Sequence, residues 1–208
     1  MKFQERVEQA ESELLQLTGI PLAYITRKYV TFDHAENGQE QIKIRTFIID
    51  DSCDKMGGKQ KPTLVIVHGF AAAFVMFYPI LKPLMEHYRI VGIDQLGHGA
   101  SSRVTLTEEF TRDQEKIEEY QVGWLEKWVA EMTNAGDLPE KFLLKGHSYG
   151  GYLCSLYASR NQERVQALFL NSPIGHECIP DNYDDLGIRI DSSQKQPATG
   201  YMLNFWKS

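Results

Sequence analysis

Ser148 stands where two differently patterned runs meet. In Lys141-Phe-Leu-Leu-Lys-Gly146-His147-Ser148-Tyr149-Gly150-Gly151-Tyr152 a short apolar run of strand type gives way to a helix-type run. A serine with glycine two positions to either side, G-x-S-x-G, fits a turn too tight for larger neighbours, and such a turn projects the hydroxyl from a strand-to-helix junction. Gly146 and Gly150 supply that room. The context is that of a strand through Phe142, Leu143 and Leu144, followed by a helix from Gly151 to Arg160 with Leu153, Leu156 and Tyr157 at helical spacing. The bland alternative is a glycine turn whose serine merely caps the helix. The chemistry at stake is nucleophilic attack on an acyl carbonyl, which needs a base for the serine proton, an acid to orient the base, and N–H donors for the oxyanion. Two main-chain amides are expected as donors. The N–H of Tyr149 opens the following helix, where the helix dipole favours negative charge. The second is the N–H of Phe70, in the loop His68-Gly69-Phe70-Ala71-Ala72-Ala73.

These loops must be held by strands. Thr63-Leu-Val-Ile-Val and Arg89-Ile-Val-Gly-Ile-Asp94 are continuous apolar runs, as in strands buried on both faces of a parallel sheet. A further strand is expected at Val165-Gln-Ala-Leu-Phe-Leu170. Between them the pattern predicts a helix over Phe74 to His87, started or interrupted near Pro79 and Pro83, and one long helix or two from Thr111 to Ala135. Strands separated by helices of this length imply right-handed βαβ crossovers. Upstream, Tyr24 to Asp50 reads as a hairpin turning at Asn37-Gly38, and Asp50 to Pro62 as a surface loop. Residues 2 to 17 place Phe3, Val7, Ala10, Leu14 and Leu17 on one stripe of an otherwise charged helix, which predicts packing against the core or a partner in preference to a membrane.

The chain has 208 residues, 42% hydrophobic and 24% charged, enough for one substantial core. Its net charge of -6, with no basic cluster, argues against a nucleic-acid surface. The start of the chain lacks a signal-peptide core, and no apolar run approaches the roughly twenty residues that span a bilayer, so folding in the cytosol is expected. The three cysteines, Cys53, Cys154 and Cys178, are widely spaced, odd in number and in no metal-binding arrangement. Free thiols and no metal site follow.

Three motifs occur in register: Val67-His68-Gly69-Phe70, then Gly92-Ile-Asp94-Gln-Leu-Gly97-His-Gly99-Ala-Ser101-Ser-Arg103, then Gly146-His147-Ser148-Tyr149-Gly150. Together they resemble the α/β-hydrolase fold. Asp94 to Arg103, the Trp124-Leu-Glu-Lys-Trp128 segment and Ala10-Glu-Ser-Glu-Leu-Leu15 resemble more closely the lysophospholipase and lysophosphatidic acid acyltransferase-like subfamily. That subfamily includes N-acyl phosphatidylethanolamine phospholipase B enzymes and a lipase co-activator of lipid droplets. The resemblance runs from about Glu8 to about Gly175. It implies a mostly parallel sheet opened by an antiparallel hairpin, no metal or organic cofactor, and a lipid or lysophospholipid acyl ester as substrate, with contact at membranes or lipid droplets allowed. In the co-activator branch asparagine replaces the elbow serine, so Ser148 favours a working nucleophile; aspartate there would have pointed to dehalogenase or epoxide hydrolase chemistry.

The same resemblance divides the chain into an N-terminal helix over 1–20, a hydrolase core over 21–175 and the start of a cap over 176–208, with the last strands and most of the cap absent. Asp94 precedes the serine, whereas in this fold the triad follows the order serine, acid, histidine. Asp94 is therefore expected to shape its loop, and His68, His98 and His147 are read as structural. Downstream of Ser148 the chain offers only His176, with Asp181, Asp184, Asp185 and Asp191 nearby, so the triad acid and base are expected beyond Ser208. The expected function is that of a serine hydrolase, poorly active as this chain. A non-catalytic lipid-associated module and a lysophospholipid acyltransferase are the alternatives.

Overall fold

Six strands form one sheet among the residues described by a computed structural model, which are 3–33, 41–51, 61–104, 106 and 112–175. The chain runs α1 (Phe3–Leu17), β1 (Ile25–Phe32), β2 (Ile42–Ile49), β3 (Thr63–Val67), α2 (Tyr78–His87), β4 (Arg89–Ile93), α3 (Gln114–Asn134), β5 (Phe142–His147), α4 (Tyr149–Arg160) and β6 (Val165–Asn171). Across the sheet the order is β1-β2-β4-β3-β5-β6. β1 and β2 pair antiparallel with Phe32 opposite Ile42, and β2 pairs antiparallel with β4. From β4 onward the pairs are parallel. The expected mixed sheet, antiparallel at its start and parallel thereafter, is thus observed. The turn at Asn37-Gly38, most of the loop after Asp50, Cys53, Cys178, His176 and the rest of 176–208 lie outside the described residues.

Every residue of β3 is buried, as a strand covered on both faces requires. Its covers are different helices. On one face α1 and α2 enclose a core of Leu15, Phe47, Ile66, Phe74, Leu81 and Ile90. On the other, α3 and α4 pack Trp124, Trp128, Leu153 and Tyr157 against Val65, Val91 and Leu144. Of the region expected to hold one helix or two, Gln114–Asn134 is one helix, started by Asp113, whose side chain accepts the Lys116 N–H at 3.1 Å. Trp124, Leu125, Trp128, Val129 and Met132 are on the buried face of that helix, whereas Lys127 is exposed. Trp128 Nε1 donates to Thr46 Oγ1 at 3.0 Å, so a large apolar side chain is also given a fixed rotation over β2.

The N-terminal helix departs from its predicted stripe. Glu11, Leu15 and Thr18 form its buried line, whereas Ala10 is exposed and Leu17 is 67% exposed. The cause is an ion pair that apolar periodicity does not report. Arg45 on β2 is buried, and its Nη2 meets Glu11 Oε2 at 2.6 Å, while its guanidinium lies 4.9 Å over the Tyr29 ring and 5.5 Å from that of Phe47. Arg27 Nη1 adds a hydrogen bond to Ser12 Oγ at 2.8 Å. A buried pair contributes little net stability, but removal of one partner strands the other charge. Glu11→Ala should therefore lower unfolding free energy by about 3 kcal/mol, and the double change Glu11→Leu/Arg45→Met should restore most of it. Urea midpoints of the two variants check this.

Candidate active site

β3 lies where the sheet changes direction of growth: the chain moves from it to β4 on one side and returns to β5 on the other. The helix after β3 covers one face and the helix after β5 the opposite face, so the carboxyl ends of these strands diverge into a crevice, the usual ligand position in open α/β sheets. The register pairs Val67 with Gly146, which makes the residues that follow the two strands, His68-Gly69 and His147-Ser148, neighbours. A Cβ on Gly69 would stand 3.1 Å from the Ser148 Cβ.

Ser148 itself has φ 53° and ψ -118°. For a residue with a side chain this is a strained conformation, costing about 1–3 kcal/mol, and it persists only when its surroundings hold it. They do so through four hydrogen bonds. Ser148 N–H donates to Asn171 O on β6 at 3.0 Å, and Ser148 O accepts from Gly151, Tyr152 and Ile174 at 3.0, 3.2 and 3.3 Å. The tightness of the turn dictates its glycines. A Cβ at 146 would come within 2.4 Å of Gly150 O, and one at 150 within 2.1 Å of His68 O. Ser148 precedes the first residue of α4, but its hydroxyl makes no capping bond, and the residue is half-buried rather than in the core. The capping alternative is thereby set aside.

Tyr149 begins α4, where an N–H has no acceptor within the helix. Its side chain is 9% exposed, and burial raises its phenol far above the ordinary value. Phe70 is half-buried, its ring edge-on to His98 at 5.5 Å, and is followed by Ala71 at φ 53°, where the loop reverses.

The loop after β3 is tied to that after β4 by two buried groups. His68 Nε2 accepts the Gln95 N–H at 2.9 Å, so Nδ1 carries the proton that it donates to Gly69 O at 2.6 Å. Burial pushes this imidazole down to about 3, against the Gly69 hydrogen bond and with His98 and His147 adding to the fall. A neutral ring with both nitrogens engaged cannot take a serine proton. Asp94 Oδ1 accepts Phe74 N–H at 2.8 Å and Oδ2 accepts Ala100 N–H at 2.9 Å, while Ser101 Oγ donates to Asp94 O at 2.6 Å. A Cβ on Gly99, at φ 49°, would fall 2.0 Å from Asp94 Oδ2. The aspartate, glycine and serine of this motif are thus parts of one turn.

The structure therefore brings Ser148, Gly69 and the start of α4 together at one crevice, and it engages Asp94, His68 and His98 in loop contacts. Gln95, whose side-chain amide also donates to His68 O, was missed in the sequence. Its signal was its place: a polar residue directly after a buried strand. Among the described residues no group of side chains could hold a metal ion.

Burial raises the Asp94 carboxyl from 3.8 to about 6, with the Ala100 and Phe74 N–H groups opposing the rise. A carboxyl raised on folding gains a proton relative to the unfolded chain between those values, so its contribution is complete below about 4 and is lost as pH rises through about 6. Asp94→Ala removes this dependence and leaves two amides without acceptors, at about 1–3 kcal/mol. Unfolding at pH 7 and pH 5 should show a less stable variant whose deficit widens at the lower pH.

The model of the alpha/beta hydrolase fold family matches residues 62–191. A 1-acylglycerol-3-phosphate O-acyltransferase of Arabidopsis thaliana is 38% identical over 148 residues, covering 71% of this chain and 32% of its own length. A (lyso)-N-acylphosphatidylethanolamine lipase of Mus musculus is 35% identical over 122 residues, covering 59% of this chain and 33% of its own. The chain thus spans about a third of these relatives. In fold it is similar to a membrane phospholipase A described as a bacterial virulence factor, with a TM-score of 0.58 at 24% identity over 88% of this chain and 50% of that one. With a family model that covers more than half of its length, and with the sheet order and strained serine turn already described, the protein belongs to the alpha/beta hydrolase fold family.

Proposed function

We propose that the chain carries the nucleophile of a serine hydrolase that acts on the acyl ester of a lipid or lysophospholipid. The observation that carries this reading is the backbone of Ser148, held in a costly conformation at the crevice between β3 and β5 with the Gly69 loop against it. In the proposed reaction Ser148 Oγ attacks the acyl carbon and gives its proton to a base. The N–H groups of Phe70 and Tyr149 receive the oxyanion, and the alcohol leaves with the proton, so the acyl group stays on Ser148 until water removes it. The base is not His68, whose two ring nitrogens are both engaged, and no histidine follows Ser148 among the described residues. Turnover by these residues alone is therefore slow.

The lipid character of the substrate rests on the names of the relatives, a lipase and an acyltransferase. The second of these favours a further reading, in which a lysophospholipid takes the acyl group instead of water. Supply of a lysophospholipid acceptor separates the two, since a transferase yields a diacyl product where a hydrolase yields free fatty acid. A module that only binds lipid would react at Ser148 in neither way.

A fluorophosphonate should label the chain slowly at Ser148, and p-nitrophenyl butyrate should be hydrolysed at no more than about 10⁴ times the rate in water. Labelling should disappear in Ser148→Ala, whereas hydrolysis at that residual level, which binding and the oxyanion donors supply, should persist. Labelling that persists in that variant would remove Ser148 from the reaction, and rapid turnover would place a base within the chain.

A further inference from the structure

Between α1 and the strands β1 and β2 lies a cavity of about 410 Å³, lined by Glu8, Gln9, Ser12, Arg27 and Arg45. Two arginines thus border one space on a chain of net charge -6. Arg27 is held there by Ser12, whose Oγ accepts from Arg27 Nη1 at 2.8 Å and itself donates to Glu8 O at 2.7 Å. Arg45 is 6% exposed, and among the described residues its side chain donates one hydrogen bond, from Nη2 to Glu11 Oε2 at 2.6 Å. A guanidinium and a carboxylate often meet side by side, with two atoms of each engaged. Here one atom of each is engaged, and Arg45 Nε and Glu11 Oε1 are buried with no hydrogen-bond partner. Buried polar groups are seldom left in that state. A donor and an acceptor orphaned within one ion pair, at the wall of a cavity, call for a third group that accepts from the arginine and donates to the glutamate.

We propose that this cavity binds a small phosphate monoester that carries a free hydroxyl. The two arginines take the phosphate, since their unused N–H groups form planar forks suited to its oxygens. The hydroxyl donates to Glu11 Oε1, an acceptor that a bare anion would leave unpaired and would be repelled by. The glutamate is therefore what selects a phosphorylated alcohol over phosphate itself. Water could bridge the two orphaned atoms, but one water fills a small part of such a volume and brings no charge to the second arginine. An occupant joins α1 to β1 and β2. It also bears on the loop after β4, because Ser101 Oγ accepts the Arg45 main-chain N–H at 2.9 Å. The site rests on none of the chemistry proposed for Ser148.

Isothermal titration of the 208-residue chain with glycerol 2-phosphate tests the proposal. The ester should bind with a Kd of about 1 mM or below. Methyl phosphate, equal in charge but without a hydroxyl, should bind about tenfold more weakly. Dibutyryl phosphatidic acid, which also lacks a free hydroxyl, should do no better than methyl phosphate. Arg27→Gln, at an exposed position, should keep the thermal midpoint of the parent and weaken glycerol 2-phosphate at least about tenfold. Glu11→Leu/Arg45→Met, which removes both buried charges, should bind none, and Arg160→Gln, at the end of α4, should bind as the parent does. A parent that binds no ester, or binds it no better than Arg27→Gln does, overturns the site, whose occupant is then water only. Equal affinity for methyl phosphate overturns the hydroxyl contact and with it the ligand class. Tighter binding of the phosphatidic acid overturns a free ester in favour of a lipid headgroup.

Discussion

The parallel pairing of β3 and β5 sets the distances on which the site depends. Neighbouring strands stand about 4.8 Å apart, so loops that leave the same end of two adjacent strands have almost no room for side chains between them. Here that room is filled by the main chain of Gly69, Gly146 and Gly150: a Cβ at 69 or 150 would meet atoms of the opposite loop, and one at 146 those of its own turn. The serine turn is the consequence. A strand that ends against its neighbour and must at once begin a helix on the other side can do so only through a strained residue, and Ser148 is held there from four directions by main-chain hydrogen bonds. Stability elsewhere in the sheet offsets that strain.

A chain of buried polar groups carries the order outward from this point. Asp94 anchors the start of the 3-10 turn at Phe74 and the end of its own loop at Ala100. Its main-chain N–H donates to Arg45 O, and Ser101 Oγ, which donates to Asp94 O, accepts the Arg45 N–H at 2.9 Å. Arg45 in turn grips Glu11 on α1. Each group is removed from water and so must be satisfied in place, which makes the arrangement specific in a way that apolar contacts alone are not. The N-terminal helix, remote from Ser148 in the chain, is thereby coupled to the loop beside it.

Local pattern made several of these elements legible. The apolar runs of β3 and β4, the strand-to-helix change at Ser148 and the single glycines around it all act over a few residues, and the structure keeps them with ends shifted by one or two. The N-terminal stripe shows the limit. Val7, Ala10, Leu14 and Leu17 make a good amphipathic helix by spacing, yet the helix is turned so that Glu11 and Leu15 face inward. Spacing measures which residues share a face, and it has no knowledge of an arginine on a strand 34 residues away that lacks a partner. His68 is a similar case. Its neighbours identify it as the end of a strand, but its protonation and its contact with Gln95 come from the loop after β4, which is next to it only in space.

By itself the sequence determined where a nucleophile can be presented, because a turn that tight needs glycines at fixed offsets and a strand and a helix on either side. It also determined the alternation of strands and helices, which follows from the periodicity of apolar residues. Strand order, the rotation of α1, the state of His68 and the neighbourhood of Gly69 and Ser148 were decided only by the tertiary structure. These depend on contacts between residues far apart in the chain, whose energies are set by burial and by the partners that burial supplies.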